Sequence, residues 1–213
     1  MIDQLLDTLY DAVFDGDRDG AVSATHAGVA AGVAPAELLY EAMIPALEEV
    51  GRRFETGEIF LPEMLVAARA MQAAMDVIRP LIVDGSVEKV GTFVMGTVAG
   101  DIHDVGKNLV NVMLEGTGFE VIDLGVNVGA DTFVEAIRAH QPDIVGLSAF
   151  LTTTLPEIGH TIEAIRDAGL REGVKILIGG APVNDLTVAQ TGADGYAPDA
   201  STAARLAKTL VDA

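Results

Sequence analysis

Near residue 85 the hydropathy period of this 213-residue chain switches from helical to strand-like. The switch calls for two domains, residues 1–85 and 86–213. Upstream, Leu39, Met43, Leu47, Val50 and Phe54 recur at spacings of 4, 4, 3 and 4, and Met64, Ala68, Met71, Met75 and Ile78 follow suit, so each segment carries one apolar helix face. Residues 2–15 and 18–31 also read as helices, punctuated by Gly16-Asp17 and Val33-Ala34-Pro35, and Arg79-Pro80 ends or kinks the fourth. The simplest solution is a four-helix bundle with methionines filling its core.

Downstream, strands are expected at 90–94, 120–124, 144–147, 175–178 and 195–197, alternating with helical stretches. Continuous apolar runs such as Ile144-Val145-Gly146-Leu147 imply burial on both faces, the habit of a parallel sheet covered by helices. The fold class is therefore α/β: a four-helix bundle followed by a doubly wound, flavodoxin- or Rossmann-like sheet of five parallel strands. Ligands of such folds sit outside the carboxyl ends of the strands. Three unusual segments fall at such ends: 96–106, 148–154 and Gly179-Gly180. In the strand order 2-1-3-4-5 those three ends are neighbours, and one pocket is lined by all of them.

Composition removes several classes. With 13 Lys+Arg against 32 Asp+Glu the net charge is -19, which repels nucleic acid and anionic lipid. Without cysteine there is no disulfide, no thiolate metal site and no cysteine nucleophile. The first residues lack the cationic start of a signal peptide, and no apolar run approaches the roughly 20 residues that span a bilayer. The expected setting is cytoplasmic, with neither nucleic acid nor membrane as partner.

The segment Gly100-Asp101-Ile102-His103-Asp104-Val105-Gly106 carries the chemistry. A carboxylate two residues before a histidine can accept its Nδ1–H and leave Nε2 for a metal. The glycines do not form G-x-G-x-x-G, and Gly106-Lys107-Asn108 lacks the spacing and the Ser/Thr of a phosphate-binding loop. A long, narrow ligand fits better: Gly106, Gly179 and Gly180 make room, and Ser148, Thr152, Thr153 and Thr154 offer hydroxyls. His26, His140 and His160 lack companions and read as surface residues. Asp104 reads as a helix N-cap or a solvated charge.

Asp-x-His-x-x-Gly at 101–106, Ser148 and Gly179-Gly180 resemble the cobalamin-binding signature. The stretch from Gly51-Arg52-Arg53-Phe54 to Leu61-Pro62-Glu63-Met64 resembles the helical cap of methionine synthase and of the corrinoid proteins of methanol and methylamine methyltransferase systems. The segments 121–126, 147–154 and 192–200 extend the likeness over essentially the whole chain. The resemblance implies that His103 is the lower cobalt ligand in place of the cofactor's own benzimidazole. It implies that Asp101 holds the second imidazole nitrogen and that Thr154, where methionine synthase has serine, continues the relay. Gly100, Ile102 and Asp104 would belong to the same cofactor-binding loop. Ser148 would contact the displaced base and Thr152 the corrin periphery or tail, while Gly106, Gly179 and Gly180 line the tail's channel. Phe54 and Leu61 match residues that cover the upper corrin face, and ordinary bundle core explains them equally well. One position departs from the family: Phe150 stands where leucine is usual.

The resemblance implies a corrinoid methyl carrier, a subunit of a cobalamin-dependent methyltransferase system and not a complete enzyme. It would shuttle a methyl group between a substrate-specific methyltransferase and an acceptor methyltransferase acting on a thiol or tetrahydrofolate. The partners would be these two, with a reductive activation protein admissible, and the helical cap would move aside at each visit. Three rivals differ testably: a cobalamin-dependent sensor would bind DNA, the small subunit of an adenosylcobalamin mutase would show mutase activity with a large subunit, and a flavodoxin-like domain for another ligand would ignore hydroxocobalamin. Neither the methyl donor nor the oligomeric state is written in the chain.

Overall fold

The computed structural model describes residues 2–81 and 89–211, and the chain divides into two compact units, Met1–Glu88 and Lys89–Ala213. The boundary expected at 85/86 lies outside the described residues.

The first unit is helical: α1 (Ile2–Phe14), α2 (Arg18–Ala30), α3 (Pro35–Leu38), α4 (Ile44–Glu55) and α5 (Leu61–Ile78). Asp17 caps α2, accepting from the Gly20 N–H at 3.0 Å. A π-helical turn, Leu39–Met43, joins α3 to α4, so the two run as one rod. Pro45 follows at the start of α4; it has no N–H to give, and the wider turn lets the backbone pass it without a break. The four rods bury the stripes read from the sequence: Leu39, Met43, Leu47, Val50, Met64, Ala68, Met71 and Ile78 are at most 2% exposed. Phe54 and Met75, at the ends of those stripes, are half-buried. The proline at 80 falls in a short 3-10 turn, Arg79–Leu81, so α5 stops at Ile78.

The second unit holds β1 (Gly91–Thr97), β2 (Phe119–Asp123), β3 (Ile144–Ser148), β4 (Lys175–Gly179) and β5 (Gly195–Ala197), all parallel in the order β2-β1-β3-β4-β5. The intervening helices are α6 (Val105–Gly116), α7 (Ala130–His140), α8 (Leu155–Asp167), α9 (Asp185–Thr191) and α10 (Ala200–Val211). β1 starts one residue later and ends three residues later than its apolar pattern suggested, because Gly96 and Thr97 keep pairing with Leu147 and Ser148.

The inner strands β1, β3 and β4 bury both faces along most of their length, as their continuous apolar runs require, while the edge strands β2 and β5 are only partly covered. On one side Val94, Val145, Leu147, Ile176 and Ile178 meet Phe133, Ile158, Ile162 and Ile165 of α7 and α8 in one cluster. On the other, Phe93 of β1 meets Phe119 of β2 edge to face, with ring centroids 6.2 Å apart. Gly146 in β3 has its reason here: a Cβ would come within 2.4 Å of the Met95 sulfur and 2.5 Å of the Phe93 ring.

Register aligns the strand ends. Thr97 is level with Ser148, Ser148 with Gly179, and Gly179 with Ala197. The loops that leave β1, β3 and β4 therefore rise side by side from one edge of the sheet.

Candidate functional site

Asp101 is the centre of the site. It is wholly buried, and its two oxygens accept from five donors. Oδ1 takes the backbone N–H of His103 at 3.1 Å and the ring Nδ1–H at 2.7 Å. Oδ2 takes the N–H groups of Phe150 at 2.7 Å and Leu151 at 3.2 Å and the Thr154 hydroxyl at 2.7 Å. Burial pushes the carboxyl's pKa up, but the bonds from Thr154, Phe150 and His103 outweigh it and hold the group well below the usual carboxylate range. An ionised carboxylate only accepts, so the proton in this contact is on Nδ1, and Nε2 is the ring nitrogen that can offer a lone pair. The His103 side chain is 44% exposed.

Three elements hold the loop in this shape. The Thr97 hydroxyl, at the end of β1, donates to the His103 carbonyl at 3.0 Å. Gly100, at φ +76°, donates its N–H to Asn127 Oδ1 at 2.7 Å, and Asn127 donates its own N–H to the Asp101 carbonyl at 2.8 Å. Asn127 itself sits at φ +54°, a conformation asparagine tolerates better than most residues. Thr97 and Asn127 were not foreseen from the sequence. The only sign of Asn127 is an asparagine between apolar residues in the loop that leaves β2.

The structure brings Asp101, His103 and Thr154 into one chain of hydrogen bonds, with Ser148 half-buried at the end of β3. Thr152 is exposed and takes no part in that chain, and Ile102 is 74% exposed. Asp104 occupies the N-cap position of α6 but makes no capping bond, and the Asn108 side-chain amide donates to it at 3.2 Å instead. Phe54 and Leu61 belong to the helical unit, where Phe54 is half-buried and Leu61 is 41% exposed, so bundle core does not account for Leu61. The three glycines have different reasons. A Cβ on Gly106 meets nothing within 4 Å, and one on Gly179 touches only the Ala197 carbonyl at 3.4 Å. Gly180, at φ +123°, would drive its Cβ to 1.9 Å from the Ala149 carbonyl, so the chain itself demands glycine there. Of the other histidines, all exposed, His160 does have a companion, Glu157 at 3.2 Å.

Beside the loop lies a pair that sequence reasoning passed over. Lys107, only 3% exposed, donates through Nζ to Asp123 at the end of β2 and to Asn108 Oδ1 at 2.7 Å. A lysine next to a glycine at a helix start reads as solvated until the carboxylate that receives it, 16 residues on, is in place.

A parallel sheet with a carboxylate-oriented imidazole at the ends of its inner strands defines an α/β cofactor-binding module, here joined to a helical unit. Comparison with known proteins gives the cofactor class. Models described as B12 binding domain match residues 91–205 and, separately, 5–79. Dimethylamine corrinoid protein 1 of Methanosarcina acetivorans is 44% identical over 178 residues, 83% of this chain and 84% of that protein. A cobalamin-binding protein from Desulfitobacterium hafniense has a TM-score of 0.81 at 34% identity, over 96% of this chain and 98% of that one. A chain of the methanol:cobalamin methyltransferase complex MtaBC from Methanosarcina barkeri has a TM-score of 0.86 at 29% identity, over 99% of this chain and 80% of that one. The chain belongs to the B12-binding corrinoid protein family. Among the described residues no helix is long and apolar enough to cross a membrane.

Proposed function

We propose that this chain is a methyl carrier whose corrinoid is bound with its own base displaced and with His103 on the cobalt. The observation that carries the proposal is the imidazole itself: Nδ1 is committed to a buried, ionised Asp101, and Nε2 is left with its lone pair on a side chain open to the sheet's carboxyl edge. One imidazole is one ligand, and a corrinoid would bring the remaining donors with it. The surroundings fit a flat macrocycle. Ile102 and Leu151, on the two loops flanking His103, and Val105, at the start of α6, are 74, 40 and 66% exposed, an apolar display that water alone does not favour. The open space beside Gly106 and the slight contact at Gly179 fit a tail entering between these loops.

When bound, the corrinoid would supply a cobalt that accepts and gives up a methyl group. The chain's residues do the rest. Asp101, accepting from Nδ1, selects the tautomer whose lone pair is on Nε2 and fixes the direction of the ring. The Thr154 hydroxyl, donating to Asp101, spreads the carboxylate's charge and keeps it aimed at the imidazole. Ser148 and Thr152 are assigned to the base and to the corrin edge or tail. Phe54 and Leu61 keep the role the resemblance implies, supported by the exposure of Leu61. The partners proposed are a substrate-specific methyltransferase and an acceptor methyltransferase, with a methylamine the favoured donor because a dimethylamine corrinoid protein is so similar.

Reconstitution with hydroxocobalamin tests the reading. The wild type should give a histidine-ligated spectrum with the base displaced, and His103→Ala a different one. An unchanged spectrum would remove His103 from the cobalt.

A further inference from the structure

The geometry points to Phe150 as a positioning residue that fixes the plane of the His103 imidazole, a role that rests on His103 being the cobalt ligand. The two rings are stacked, with centroids 4.3 Å apart and planes 27° apart. The hydrogen bond from Nδ1 to Asp101 pins one point of the imidazole and its direction. It leaves the ring free to swing about that contact, and such a swing carries Nε2 off any line toward a metal. A flat neighbour on one face removes the swing. Phe150 is well held for this purpose, because its own N–H donates to Asp101 Oδ2 at 2.7 Å while Oδ1 takes the imidazole. One carboxylate thus sets the distance between the ring and its platform. The phenyl group is half exposed, so core packing does not explain its place. Leucine, with two rotatable bonds and no face, covers the imidazole without fixing its plane.

An aromatic pair of this kind contributes a factor of about two to twelve in an equilibrium constant. The experiment uses the full chain with four substitutions: F150L, F150Y, H103A and the double variant H103A/F150L. In the apo protein, carbon–proton spectra of the four histidines, with His103 assigned from its absence in H103A, read the stack directly. The His103 ring protons should lie upfield in wild type and F150Y and move downfield in F150L. Titration with hydroxocobalamin, followed by its visible spectrum, should show binding about two- to twelvefold weaker in F150L than in wild type, with F150Y close to wild type. In the H103A background F150L should cause no further loss, as expected of two residues acting as one unit.

The failures are separable. Unchanged ring shifts and affinity in F150L overturn the role of Phe150 and leave ligation standing. An equal loss from F150L in both backgrounds means that Phe150 touches the corrinoid itself, which also overturns the proposal. A wild-type spectrum in H103A brings down the ligation reading, whatever the ring shifts say.

Discussion

Replacing Asp101 by asparagine changes one atom and tests the whole site. Asparagine keeps one acceptor oxygen and turns the other into an amide donor. With its oxygen in the Oδ2 position it still serves Phe150, Leu151 and Thr154, and the new NH2 faces the backbone N–H and ring of His103. With its oxygen in the Oδ1 position it strands three donors in place of two, one of which the imidazole can remove by changing tautomer, so the first orientation wins. The cost is then one buried, unpaired N–H at about 1–3 kcal/mol, plus the weakening of three bonds that lose their charge, for a total of about 2–4 kcal/mol. The ring has a way out of its own clash: it can shift its proton to Nε2 and accept from the amide through Nδ1. That tautomer has no lone pair for a metal. D101N should therefore lower the urea stability of the sheet unit by about 2–4 kcal/mol and weaken hydroxocobalamin binding about 10- to 100-fold. Nitrogen spectra of the His103 imidazole should show the proton moved to Nε2. Stability within about 0.5 kcal/mol of wild type together with an unmoved proton would refute the reasoning.

Four further outcomes are expected. Thr154→Val removes one donor and leaves Asp101 its other four, so it should cost about 1–2 kcal/mol in urea unfolding, less than D101N; an equal loss would contradict the order of bonds given above. At the Lys107–Asp123 pair the two deletions should differ: Asp123→Ala strands a buried ammonium and costs about 3–5 kcal/mol, whereas Lys107→Met frees a carboxylate already 39% exposed and should be near neutral, equal losses arguing against the burial asymmetry. Gly180→Ala forces both a disfavoured φ and a 1.9 Å contact with backbone, so the chain should fail to give a native thermal transition, and a normal one would mean that this turn is not rigid. In the helical unit Glu49 is lowered to about 2 by hydrogen bonds from Arg52 and Arg53. Its folded value lies below its unfolded one, so its contribution is full above about pH 4.3 and fades as pH falls toward about 2. Acid titration of helicity in wild type and Glu49→Gln should separate above that window and converge below it; parallel curves would deny the ion pair its role.

What could be read from the sequence was whatever depends on near neighbours. Apolar stripes at helical spacing located the rods, short apolar runs located the strands, and Asp101 with His103 declared itself through a two-residue spacing. The residues that shape the site through distant partners stayed hidden. Asn127 reaches Gly100 across 27 positions, and Thr97 fell beyond the expected end of the first strand at 94 and was not singled out. Lys107 drew no reading of its own because the carboxylate that receives it, Asp123, is 16 residues on at the end of β2. The π turn at Leu39–Met43 has a local cause in Pro45, but a proline is as compatible with a helix start as with a widened turn, so the sequence pattern left the rod's continuity open. Phe150 was noticed as an oddity; its use became visible only when the β3–α8 loop was seen beside the β1–α6 loop.

The donors to Asp101 come from two stretches about fifty residues apart, one leaving β1 and one leaving β3. The imidazole cannot be aimed until both strands lie side by side, so a chain caught half-folded has the right residues and no site. If His103 holds the cobalt as proposed, a corrinoid arriving early would meet no aimed imidazole, and its ligation would report that the centre of the sheet is complete.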